Sequence, residues 1–160
     1  MSINFYGLIF IVAIMLPNIV FAATHKNGFT NYYQNKTVEV FEQIGRTGCF
    51  VFVFFNINVL VKAELSGGCL IAYLVSGGVL TLTYILGWII LWKENSLKKS
   101  LLLSVVPALL FFVCGSISLN IPLIVFAVIF APCHIFISYK NAKAEAEKEK
   151  TVILKGTNYE

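Results

Sequence analysis

Few residues in this sequence are of a type that could do chemistry, and their spacing limits what each can reach. All eight acidic residues are glutamates. Glu145, Glu147, Glu149 and Glu160 lie in the C-terminal tail, whereas Glu39, Glu42, Glu64 and Glu94 fall in loops or at the edges of apolar runs. A proton relay or cation site within a helical bundle ordinarily needs a carboxylate at depth, and none is expected here. A paired-carboxylate hydrolase is excluded on the same ground. A Ser/His/Asp triad lacks its Asp, and a Glu in its place would have to reach in from an interface. There is no H-E-x-x-H motif, and Gly67-Gly68 and Gly77-Gly78 lack the lysine and the strand–helix setting of a phosphate-binding loop. Cys133 and His134 are adjacent, but neighbours on a helix point about 100° apart and no other convergent ligand is visible. The four cysteines, Cys49, Cys69, Cys114 and Cys133, sit in or beside apolar runs and form no C-x-x-C pair. They read as small reduced hydrophobes rather than a disulfide framework. These exclusions point to a non-enzymatic chain with no cofactor, no metal and no nucleic-acid partner.

The remaining polar groups within apolar runs are Asn18, Asn56, Asn58, Asn120 and His134, with several Ser and Thr. Polar groups at bilayer depth are costly unless paired. Asn56 and Asn58 lie near one end of their run and could reach headgroup water. His134 is expected to hydrogen-bond across helices. Gly68, Ala72 and Ser76 recur every four residues, the small-xxx-small spacing that lets a second helix approach closely, within the chain or between copies.

The elements that must position these groups are set by composition. The chain is 58% hydrophobic and 12% charged, with a mean hydropathy of +0.82. That charged share is about half of what a soluble domain carries. Most side chains must therefore face lipid, and the lipid bilayer is the first partner implied. A spanning helix needs about 20 mostly apolar residues. Such runs occur at 3–22, 45–61, 69–92, 101–118 and 122–139. The fold class expected is all-α, a polytopic membrane helical bundle of about five transmembrane helices over 1–139, followed by a charged tail at 140–160. The second run is the weakest. Its Cys49–Phe55 stretch would read as a strand in water, but an unpaired strand in lipid leaves its backbone unsatisfied, so helix wins. Val38, Phe41 and Ile44, with Glu42 four residues before Arg46, predict an interfacial helix over 37–45 leading into it. Arg46 and Lys62 are expected to snorkel to the headgroups. Asn120 and Pro122 predict a tight turn and a helix start between the last two spans, and Pro107 and Pro132 predict kinks. The Lys/Ala/Glu tail should extend the fifth helix into water and fray near Gly156.

Positive charge sets orientation. Lys26, Lys36 and Arg46 precede the second span, Lys93, Lys98 and Lys99 lie between the third and fourth, and Lys140, Lys143, Lys148, Lys150 and Lys155 follow the fifth. The alternate loops hold only Lys62. The N-terminus is then outside and the C-terminus cytoplasmic, with Trp88, Trp92 and Tyr139 in the cytoplasmic interfacial belt. The competing reading takes Val20-Phe21-Ala22 as a signal-peptidase site. The first run lacks a basic start, and cleavage would invert the charge pattern. Asn35-Lys36-Thr37, a formal glycosylation acceptor, would then face the cytoplasm.

The stretch from Asn35-Lys36-Thr37 through Glu42-Gln43-Ile44-Gly45-Arg46-Thr47-Gly48-Cys49, with Phe55-Asn56-Ile57 after it, resembles small multi-spanning membrane proteins of Gram-positive bacteria. The resemblance extends through Asn120–Ile124 to Ile137–Ala142. That family is uncharacterised, so the resemblance implies location but neither an activity nor a site residue. The expected role is that of a bacterial inner-membrane protein acting through helix contacts, as a homo-oligomer or with a membrane-protein partner. The alternative is a transporter or channel component for a neutral or anionic solute, lined by the Asn residues and His134.

Overall fold

The computed structural model describes residues 2–25, 31–57, 60–63, 65–94 and 96–156. Five helices carry the fold: α1 (Phe5–Thr24), α2 (Lys36–Phe54), α3 (Gly67–Ile90), α4 (Leu97–Ile117) and α5 (Ile121–Gly156). Two short strands, β1 (Ser2–Ile3) and β2 (Phe55–Asn56), pair antiparallel with Ser2 opposite Asn56.

Local sequence explains the helix ends. The Asn4 side chain accepts from Gly7 N to start α1, and Asn35 accepts from Thr37 and Val38 N to start α2. Ser96 opens α4 by accepting from Lys99 N. Each meets amide donors that a first turn leaves unbonded. The turn from α4 to α5 is as short as expected. Leu119 takes the left-handed conformation, φ 49°, and Asn120 caps α5 by accepting from Leu123 N at 3.2 Å.

Cross-contacts fix the direction of every helix. Asn4 meets Tyr73, Asn18 meets Tyr84 and Phe21 meets Trp88, so α1 and α3 run parallel. Asn120 meets Phe52, and Glu42 meets His134, so α2 and α5 run antiparallel. Cys69 meets Ile117 and Ser100 meets Ser138, so α4 opposes both α3 and α5. α1 and α3 can be parallel and consecutive crossings only if α2 carries the chain back. One end of the bundle therefore collects β1, β2, residues 60–63 and the α4–α5 turn. The other collects the end of α1, the start of α2, residues 91–96 and the extension of α5.

α1, α3, α4 and α5 are long and apolar enough to cross a bilayer. Their outward faces are apolar too: Phe5, Ile9, Val12 and Leu16 are exposed along α1, as are Ile71, Val75, Val79 and Leu82 along α3. Helices that are hydrophobic on all sides belong in lipid. The chain is a multi-pass membrane protein.

Two boundaries differ from expectation, each for a physical reason. The run expected to span 45–61 ends its helix at Phe54, where β2 pairs with β1 and satisfies the backbone that the helix gives up. The expected interfacial helix at 37–45 is not separate but the first half of α2. Beyond β2, the amide nitrogens of Lys62 and Ala63 bond to the carbonyls of Leu119 and Ser118, so the loop is tied to the turn that follows α4. α5 continues through the charged tail to Gly156, as its composition implied.

The core is close-packed at the β1–β2 end, where Cys49, Tyr73, Cys114 and Leu123 are all but inaccessible. α2 meets α5 through glycine. A Cβ on Gly45 would lie 2.7 Å from the Phe130 nitrogen, and one on Gly48 would overlap the Phe126 ring.

Candidate functional site

α2 and α5 bring together a polar cluster that the order of residues does not announce. Glu42 and Arg46 stand one turn apart on α2 and form an ion pair. His134, on α5, completes the group, its Nδ1 lying 2.9 Å from Glu42 Oε1. Its ring stacks on Phe130 with centroids 4.6 Å apart. Glu42 is only 4% exposed. The expectation that every glutamate sits in a loop, at an edge or in the tail fails here. The cause is Gly45, whose missing side chain lets the first half of α2 press against α5 and carry Glu42 inside. Arg46, whose side chain stays 39% exposed, reaches back one turn to Glu42. A buried carboxylate needs such partners, because one left alone in low dielectric costs several kcal/mol.

Toward the basic end the helices separate around a cavity of about 630 Å³. α1, α2, α3, α4 and α5 all contribute walls. Phe50, Phe111 and Phe130 form an aromatic floor, Phe111 lying 5.8 Å from Phe50 and 6.0 Å from Phe130 between ring centroids. Beneath this floor lies the packed core, which closes the cavity toward the β1–β2 end. Arg46, His134 and Lys99 line its upper walls. Lys99 enters from the first turn of α4. It is buried, donates from Nζ to the Trp92 carbonyl at 3.1 Å, and sits 4.6 Å above the Phe21 ring. Asn18, beside the same space, bonds to the Tyr84 hydroxyl at 3.0 Å. At the mouth, the Asn141 side chain accepts from Tyr32 N and Tyr33 N and donates to Asn31, tying residues 31–33 to α5.

The other residues singled out from sequence lie elsewhere. Asn56 is at the opposite end, where its carbonyl oxygen accepts from the Asn120 side chain at 3.3 Å; Asn58 lies outside the described residues. Gly68 and Ala72 are exposed, and the Ser76 hydroxyl returns to the Ala72 carbonyl of its own helix. A Cβ on Gly68 would meet nothing within 4 Å, so this stripe does not pack within the chain. Within the chain α3 packs through other glycines: Gly77, set against Phe10, and Gly87, set against Leu102. Trp88 is not in a lipid-facing belt; it is 2% exposed and packs on Phe21, with Trp92 5.7 Å away between ring centroids.

Residue spacing does not reveal every long-range contact. The spacing of Glu42 to Arg46 is visible in the sequence, but the burial of Glu42 against α5 is not. Asn4 and Asn120 are both buried, Asn4 donating to the Tyr73 hydroxyl at 2.8 Å and Asn120 to the Phe52 carbonyl at 2.8 Å. From sequence Lys99 is an orientation charge; its bond to the Trp92 carbonyl depends on the fold. Among the described residues no group of three or more His, Cys, Asp or Glu is arranged to hold a metal. Compared with known protein families, curated proteins and solved structures, the chain matches none.

Proposed function

We propose that this protein is a non-enzymatic bacterial inner-membrane protein that works through helix contacts in the bilayer, with itself or with a membrane partner. The observation that carries this reading is the outer face of α3. Gly68, Ala72 and Ser76 present small residues outward, while Gly77, half a turn round the helix from Gly68, already serves the packing inside the chain. Small residues permit close backbone approach, which drives association where lipid and Leu are equally apolar. In this reading the chain crosses five times, with the N-terminus outside, the C-terminus cytoplasmic and α2 as the sheltered crossing. A photo-crosslinking residue at Ala72 tests the contact in native membranes. A product of twice the chain mass, or a defined heavier one, is expected, and Gly68→Leu should abolish it. Adducts to lipid alone would overturn the reading.

The cavity favours a second reading, a transporter or channel component for a neutral or anionic solute. Its aromatic floor would then be the closed gate. Reconstitution into liposomes tests it: solute flux that His134→Gln reduces without lowering thermal stability supports transport, and its absence leaves the contact reading alone.

A further inference from the structure

The cavity has two kinds of wall, and the combination specifies a ligand. We propose that it binds an anionic amphiphile, a molecule with one carboxylate or phosphate head and an apolar body, entering from the basic end. The inference goes beyond the helix-contact reading and holds whether or not the ligand is carried across.

The head is specified by Arg46 and Lys99. The Arg46 guanidinium uses one terminal nitrogen on Glu42, while the side chain as a whole stays 39% exposed and lines the cavity. Guanidinium also matches carboxylate and phosphate in shape. Lys99 brings an ammonium with three donors, of which the Trp92 carbonyl takes one. Among the described acidic residues Glu145, at the mouth, lines the cavity and with Glu94 interacts electrostatically with Lys99, while Glu42 is paired with Arg46. A cationic head, once past Glu145, would face both cations. The body is specified by the depth beyond them, where Leu103, Pro107 and the Phe50, Phe111 and Phe130 rings offer apolar contact. A volume of about 630 Å³ lies in the range of sites that enclose a small organic ligand.

The test uses the whole protein in a neutral detergent. Trp88 lines the cavity and Trp92 lies beside it, and these are the two tryptophans of the chain. Their fluorescence should therefore report an occupant. Bromoundecanoate, a brominated fatty acid, should quench saturably, and the alcohol of the same length should bind about tenfold or more weakly. Lys99→Gln should weaken the carboxylate by a similar factor. Ala142→Phe narrows the cavity without touching a charged pair, and should block binding even if Lys99→Gln fails to fold; thermal unfolding checks each variant. Equal quenching by the alcohol, or wild-type binding by folded Ala142→Phe, overturns the proposal. So does full competition by inorganic phosphate, which would make the site one for a soluble anion. Native mass spectrometry then separates two supporting outcomes. A co-purifying anionic phospholipid displaced by the brominated acid makes the bilayer the source, and an empty protein that takes up the acid makes the source a free single-chain amphiphile.

Discussion

At the scale of single residues, the structure turns on how a few polar groups are satisfied at depth. Glu42 accepts from Arg46 and lies 2.9 Å from His134. Hydrogen bonds between membrane helices contribute about 0.6 to 2 kcal/mol. A double-mutant cycle of Glu42→Leu and His134→Ala, read by unfolding in detergent, should give a coupling of about that size; strictly additive losses would mean that the contact contributes nothing. Asn120 is more heavily committed. It donates to the Phe52 carbonyl and the Asn56 side chain and caps Leu123 N. Asn120→Ala should cost about 1 to 3 kcal/mol, and Asn120→Asp should recover only the cap, because Asp lacks the amide donors. Unfolding midpoints for the two variants that do not differ would sink the second half of that claim. The sequence showed Asn120 as a turn residue because a cap is local, three residues from its partner. It did not show the bond to Phe52, sixty-eight positions away, since no spacing rule reaches so far. Glu42 was hidden for a related reason. Its partner Arg46 is legible one turn along, but burial depends on what α5 places opposite.

At the scale of elements, α2 shows best where sequence reading ends. Its apolar stretch is short and flanked by charge, which suggested an interfacial helix followed by a span running to Val61. Hydropathy does not register that Gly45 and Gly48 remove the obstacle to α5. With both present, one continuous helix can carry a polar half inside the bundle, shielded by a neighbour rather than by headgroups. The four more apolar helices were legible to within a few residues, because lipid requires length and apolarity of each one separately. Which glycines pack where was not, because a small residue suits close approach on whichever face a partner happens to occupy. The contrast is testable. Gly45→Ala must push the Phe130 backbone away, and overpacking of this kind typically costs about 1 to 3 kcal/mol. Gly78→Ala, whose Cβ meets nothing within 4 Å, should be neutral or slightly stabilising, since alanine is the better helix former. Thermal unfolding of the two variants should separate clearly. Equal midpoints would mean that α2 and α5 are not in close contact at Gly45.

At the scale of the whole molecule, the direction of each helix converts a list of charges into a polarity. Lys36, Lys93, Lys98, Lys99 and Lys140 gather at the end where α1 and α3 finish and α2 and α4 begin, and Lys62 lies at the other. This sorting was legible from loop order alone, because an up-and-down chain must alternate ends. The cavity at the basic end was not, because an internal space is made by what five helices fail to fill. The proposed orientation in the cell rests on the same sorting and on the preference of Lys and Arg for the cytoplasmic side. It can be checked with minimal disturbance: Cys49 and Cys114 are fully buried and can stay, so only Cys69 and Cys133 need replacing. In that background an impermeant thiol reagent applied to intact cells should label Lys62→Cys and spare Lys36→Cys and Lys140→Cys, with all three labelled once the cells are opened. Labelling of Lys36→Cys and Lys140→Cys but not Lys62→Cys in intact cells would invert the molecule, placing the mouth of the cavity outside. The amphiphile would then have to arrive from the exterior, and the basic residues around the mouth would need an explanation other than orientation.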